Sequence, residues 1–163
     1  MTTDPSLLFD TVQTPAGPFS AAVHPDGAVA ATAFGGEDAL RTRLGPVKAR
    51  RDPGAVRPVL VQVTAFLRGE RRGFDVPLRA TGSAFQQRVW KALLEIPYGQ
   101  TRSYGDIARL LGSSARAVGR ANATNPICLL VPCHRVIGAD GTLTGYAFGE
   151  ATKRRLLDIE AGA

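Results

Sequence analysis

Near residue 82 the chain changes the kind of local signal it carries, which argues against an all-strand or an all-helix fold. Upstream, "FDTVQTPAGPFSAAVHPDGAVAATAF" sets short alternating or β-branched runs between Pro/Gly turn signals, the pattern of hairpin strands. "PVLVQVTAFLRGE" then reads as a helix, with Val59, Val63, Phe66 and Leu67 on one side and Gly69 near its end. The intervening Gly-, Pro- and Arg-rich stretch, "ALRTRLGPVKARRDPGAVRP", is expected to be a surface loop. Downstream the punctuation is helical. Ser83 and Gln86 have capping-box spacing at the head of "SAFQQRVWKALLEI", whose Phe85, Val89, Leu93 and Ile96 form an apolar face. The expected fold is α+β in two parts: a small strand-rich amino-terminal subdomain with a helix, residues 1–80, and a mostly helical carboxy-terminal domain, residues 81–163.

Two further short helices follow in the second part. Ser103 with Asp106 starts "YGDIARLL", Gly112 can end it, and Ser113 or Ser114 can cap "ARAVGRANA". A short helix, a tight Gly-containing turn and a second helix are the parts of a helix-turn-helix. Arg116 and Arg120 share a face of the second helix, while Ala115, Ala117, Gly119, Ala121 and Ala123 keep the rest slim. Such a helix can enter a nucleic-acid groove or pack its small face on a neighbour, and the pattern alone leaves both open.

Lys and Arg total 20 against 14 Asp and Glu, a net charge of +6. That balance suits a phosphate-bearing partner, because neutralising phosphates releases counterions, and it equally suits a merely soluble basic protein. No run approaches the roughly 18 apolar residues that a membrane span needs, and "MTTDPSLLFD" lacks the basic-then-apolar order of a secretory signal. A soluble cytoplasmic protein with no membrane partner is expected, so Cys128 and Cys133 should be free thiols. Two Cys and two His without Cys-x-x-Cys spacing leave almost no ligand set for zinc, and no metal is expected.

Cys133 and His134 lie side by side after an apolar run. A cysteine is a strong nucleophile only as its thiolate, so a base must take its proton or its surroundings must favour the charge. Neighbouring residues on a strand point to opposite faces, so a Cys–His contact here needs a turn or a bridging water; Pro132 allows such a turn. The dipeptide alone settles nothing, and a lone Cys–His pair is more often a small buried thiol with a polar neighbour.

Larger motifs bear on that choice. "VPCHRVIGADGTLTGY" resembles the active-site segment of the O6-alkylguanine-DNA alkyltransferases. The resemblance continues through "GSAFQQRVWKALLEIPYGQTRSYGDIA", "ARAVGRAN", "NPICLLVPCHRV" and "KRRLLDIE", and covers about residues 59–160. It implies a suicide repair protein that flips an alkylated guanine out of duplex DNA and moves the alkyl group irreversibly onto its own cysteine, without a cofactor. By match to the family motif, Cys133 would be the alkyl acceptor, His134 the base acting through a water, Glu160 the carboxylate that orients the histidine, and Asn125 the brace of the preceding turn. Arg116 would fill the space left by the flipped base, on a helix whose small residues, Ala117 among them, suit the minor groove. Tyr104 would crowd a phosphate and donate to N3 of the guanine. Tyr146 and Phe148 would line the base pocket, the Ala147 N–H would meet O6, and the carbonyls of Cys133 and Val136 would accept from the exocyclic amine. Arg120 and Arg135 would add DNA contacts, and the protein would act as a monomer, cooperative loading on DNA being left open.

Three departures from the family pattern stand out. "LLGSSARAV" is shorter than in relatives, which bears on the pitch of its second helix relative to Tyr104. Phe148 replaces a glycine common in the family, so a tighter pocket favouring methyl over benzyl adducts is expected. Cys128 replaces a pocket-wall proline of some relatives and is expected to be buried and unreactive. Competing functions are a lesion-binding protein that lacks transfer, against which the retained Cys133 speaks, a sequence-specific regulator, and a cysteine hydrolase, which a stable thioether would stall.

Overall fold

A computed structural model describes residues 6–162 of the chain; the first five residues, part of the start read above as non-secretory, lie outside the described residues. The fold is α+β, and its compact units divide after Thr81.

In the first unit, strands β1 (Leu7–Thr14) and β2 (Gly17–Val23) form an antiparallel hairpin, and β3 (Val29–Phe34) continues the sheet from β2. Helix α1 (Glu37–Leu44) leads to the short strand β4 (Ala49–Arg51), which pairs parallel to β1 and completes the order β3-β2-β1-β4. Residues 19–23 of β2 are buried without alternation, so both faces of this strand are covered. Helix α2 (Pro53–Leu67) packs on β1 and β2 through Val56, Val59, Leu60, Val63, Phe66 and Leu67.

The stretch read as a surface loop therefore holds two elements and the start of a third. Only Leu40 of α1 is buried, so the helix carries almost no apolar period; Glu37 and Asp38 at its start and Arg41 and Arg43 at its end complement its dipole instead. Helix α2 begins five residues before the expected Pro58: Asp52 accepts from the Ala55 N–H and Pro53 occupies the first turn, where its missing N–H costs nothing.

The second unit is built on the expected caps. Helix α3 (Ala84–Leu94) starts with the reciprocal Ser83–Gln86 capping box and buries Val89, Trp90 and Leu93. Helix α4 (Tyr104–Leu111) has the same box from Ser103 and Asp106 and ends at Gly112, whose φ of 64° is a left-handed conformation that glycine adopts without strain. Ser114 caps α5 (Ala115–Ala123), and the Trp90 indole donates to the Ala121 carbonyl at 2.8 Å, joining α3 to α5. Strands β5 (Arg102–Ser103) and β6 (Val136–Ile137) pair parallel over only two residues, which brings the start of α4 beside the segment that follows Cys133. Helix α6 (Glu150–Glu160) closes the unit.

Candidate active site

The segment carrying Cys133 is shaped by a buried amide. Asn125 accepts from the Ile127 N–H at 3.0 Å and donates to the Val131 carbonyl at 3.0 Å, tying both sides of a turn to one side chain. At its centre Leu129 has φ 72°, a left-handed conformation that costs a non-glycine residue about 1 kcal/mol or more. Pro132 then leads into a 3-10 turn, Cys133–Arg135, so Cys133 and His134 are not on an extended strand and the alternation that would separate them is absent. Both are buried.

The turn is clamped from the last residue of α6. The Glu160 carboxylate accepts from Arg135 Nε at 2.8 Å and Nη2 at 3.0 Å, from the Gly99 N–H at 3.0 Å, and shares a 2.5 Å hydrogen bond with His134 Nε2. Burial alone would raise its pKa; the hydrogen bonds from His134 and Arg135 outweigh that and hold it at about 2. With an ionised acceptor facing it, Nε2 carries the ring proton and Nδ1 is left as a bare acceptor. Burial pushes the His134 pKa below its ordinary 6.5, the pull of Glu160 notwithstanding, so the imidazole is neutral at pH 7. Its Nδ1 is buried and has no hydrogen-bond partner among the described residues.

Arg135 was expected to touch DNA, and the structure corrects this. Its Nη1 donates to the Ile96 carbonyl at 2.8 Å, its Nε and Nη2 engage Glu160, and the side chain packs over the Tyr98 ring, leaving the residue 8% exposed. With three of its five N–H groups engaged inside the fold and the side chain buried, this guanidinium holds the turn rather than reaching outward to a phosphate.

Tyr104 stands half-buried at the start of α4, its hydroxyl donating to the Thr144 carbonyl at 3.3 Å; burial raises its pKa, as does the nearby Cys133. Tyr146 is buried and meets Phe148 edge-on with ring centroids 5.8 Å apart, while Ala147 between them is exposed. On α5, Arg116 and Arg120 are exposed, and Ala117 is partly so. Cys128 is buried and forms no disulfide. Among the described residues, no three His, Cys, Asp or Glu side chains gather in a way that could hold a metal ion.

Two site residues escaped the sequence reading. Lys153 of α6 is fully buried, donates to the Val136 carbonyl at 2.5 Å, and lies 5.8 Å and 5.9 Å from the ring centroids of Tyr104 and Tyr146. Burial lowers its pKa and Cys133 pulls it back up, so the ammonium and the thiol share one electrostatic environment. Its signal was its position three residues before Leu156 and seven before Glu160, on the inward face of the helix. Asn122 of α5 is also buried and donates to the Cys133 carbonyl at 3.3 Å; it lies one turn after the buried Val118.

Residues 84–162 match the family model described as the 6-O-methylguanine DNA methyltransferase, DNA binding domain. A methylated-DNA–protein-cysteine methyltransferase of Mycobacterium tuberculosis is 49% identical over 159 residues, 94% of this chain and 92% of that protein. The chain belongs to this methyltransferase family. An inducible methyltransferase of the same name from Bacillus subtilis is 50% identical over 114 residues, 69% of this chain and 64% of that one. The crystal structure of Mycobacterium tuberculosis OGT in complex with DNA superposes with a TM-score of 0.86 at 45% identity, covering 95% of this chain and 93% of that one. Family membership thus extends across the strand-rich unit, where the motifs quoted above do not reach.

Proposed function

We propose that this methyltransferase performs direct-reversal DNA repair, moving an alkyl group, mainly methyl, from O6 of guanine in duplex DNA onto Cys133. The observation that carries the residue assignment is the pair Glu160–His134 on the 3-10 turn that also holds Cys133: a neutral imidazole locked through Nε2, with a bare Nδ1, on the residue that directly follows the cysteine. Nδ1 takes the thiol proton through a bridging water, and the Cys133 sulfur displaces guanine from the alkyl carbon. A C–S bond forms as the C–O6 bond breaks, and the electron pair left on guanine is neutralised by a proton delivered from Tyr104 toward N3. The product thioether has no leaving path, so each molecule acts once.

Access to the base requires flipping. Arg116, exposed near the start of α5, supplies the guanidinium that fills the vacated stack, with α5 entering the minor groove and Arg120 contacting phosphate. The protein works as a cytoplasmic monomer on double-stranded DNA, with no cofactor. The Tyr146–Phe148 contact supports a narrowed alkyl pocket, so in the same duplex O6-methylguanine reacts faster than O6-benzylguanine; equal rates would contradict that narrowing. Cys133→Ser tests the central assignment. It should abolish transfer while keeping affinity for lesion-bearing duplex in a gel-shift assay, and transfer by the serine variant would refute the role of Cys133.

A further inference from the structure

The Asn122 carboxamide is a buried polar group with half of its hydrogen-bonding capacity unused. The residue is 3% exposed, its Nδ2 donates to the Cys133 carbonyl, and its Oδ1 is buried without a partner. The amide cannot be turned round to cure this, because Oδ1 would then face the Cys133 carbonyl oxygen, acceptor against acceptor. A buried, unpaired carbonyl oxygen costs about 1–3 kcal/mol, so its retention calls for an explanation. The carboxamide also acts on Tyr104 as a donor, its N–H side favouring the phenolate and so lowering the tyrosine pKa against the effect of burial. Three groups therefore lie together: the Tyr104 hydroxyl, which can donate; the Asn122 carboxamide, whose Oδ1 is an unused acceptor; and the Cys133 carbonyl, a second acceptor.

That order of donor and acceptors is complementary to one edge of guanine. N3 is an acceptor and the neighbouring 2-amino group carries two N–H donors, whereas the position equivalent to that amine in an O4-alkylated thymine is the acceptor O2. We propose that Asn122 is a specificity-determining residue, its Oδ1 accepting a hydrogen bond from the 2-amino group of the flipped O6-alkylguanine. This inference rests on the transfer reaction proposed above. In the complex Oδ1 gains its missing partner. An O4-alkylthymine would instead bring oxygen against oxygen, and a hypoxanthine lesion would leave Oδ1 buried and unpaired. The α5 helix that enters the groove would thus read the identity of the extruded base as well as fill its place.

The test is a set of single-turnover transfer rates, read by the mass of the protein, for the wild-type chain and Asn122→Leu. The duplexes carry O6-methylguanine, O6-methylhypoxanthine, which differs only in lacking the 2-amino group, or O4-methylthymine. In wild type the amine should accelerate transfer; in the leucine variant the guanine-to-hypoxanthine rate ratio should fall about tenfold, and the rate on O4-methylthymine relative to O6-methylguanine should rise. Loss of the bond to the Cys133 carbonyl alone would slow all three substrates by one factor, and an unchanged ratio overturns the proposal. Asn122→Ala, compatible with this alanine-rich helix, serves the same comparison if the leucine variant folds poorly. Failure of the wild-type protein to methylate Cys133 from O6-methylguanine would instead overturn the transfer reaction, and with it this inference.

Discussion

The two units solve the burial of polar groups in opposite ways. In the strand-rich unit the core is aliphatic and aromatic, and Asp10 is the one ionisable side chain buried among the described residues, paired with Arg51. Its other ion pairs, such as Arg41–Glu37 and Arg79–Asp26, lie in solvent. The helical unit buries an imidazole, a guanidinium, an ammonium and a carboxylate, all within the Cys133–Arg135 turn and α6. Each would cost several kcal/mol if left unpaired, so this cluster is tolerable only because its hydrogen bonds are nearly complete. Two of its buried polar atoms, His134 Nδ1 and Asn122 Oδ1, have no partner among the described residues. The lowered pKa values of His134 and Glu160 arise inside this buried cluster, while the lowered pKa of Asp26 in the other unit, set mainly by its hydrogen bond from exposed Arg79, marks only a surface pair.

The strongest challenge to this contrast is Glu160→Gln. It leaves Arg135 without its counter-charge and gives His134 a neutral amide in place of the ionised acceptor that fixes its tautomer. Transfer should slow about 100-fold and unfolding in urea should show a loss of roughly 3 kcal/mol; a stable variant with ordinary transfer would show that the clamp is ornamental. Leu60→Ala in the other unit should cost a similar 2–5 kcal/mol by leaving a cavity. There, however, transfer per folded molecule should be retained, and a parallel loss of rate would erase the distinction between the units.

Acid should weaken the helical unit in two stages. His134 and Glu160 both have folded pKa values below their ordinary 6.5 and 4.5, so the unfolded chain binds protons first as pH falls. Stability is then greatest above pH 6.5, declines as the unfolded imidazole protonates, and declines again below 4.5 until Glu160 itself protonates near pH 2. Urea midpoints measured from pH 8 to pH 4 should fall throughout the acid range; a flat profile down to pH 5 would contradict a buried neutral His134. The smallest effect belongs to the surface: Arg41→Ala removes an exposed pair on α1 and should change stability by about 0.5 kcal/mol or less.

What the sequence disclosed follows the same division. The starts of α3, α4 and α5 were legible because Ser83, Ser103 and Ser114 act on their own next turn, and Cys133, His134 and Glu160 were legible through motif resemblance. Helix α1 leaves no pattern because it buries a single leucine and is held by charges at its ends, and the start of α2 is hidden because Asp52–Pro53 reads as loop punctuation and is also a helix start. The error over Arg135 and the silence over Lys153 and Asn122 have one physical origin. Helical spacing can set a polar residue on an inward face, as it does Lys153, but the partner that makes its burial tolerable lies far along the chain, Glu160 for Arg135 and Val136 for Lys153, and no local pattern encodes that pairing.

The most direct measurement is the intact mass of the protein, with peptide mapping, after incubation with excess duplex DNA bearing one O6-methylguanine. One added methyl per molecule on the peptide containing Cys133, with the DNA restored to guanine and no second turnover, is the predicted result. Lesion binding with no change in mass, or a methyl group carried on any other residue, would contradict the account.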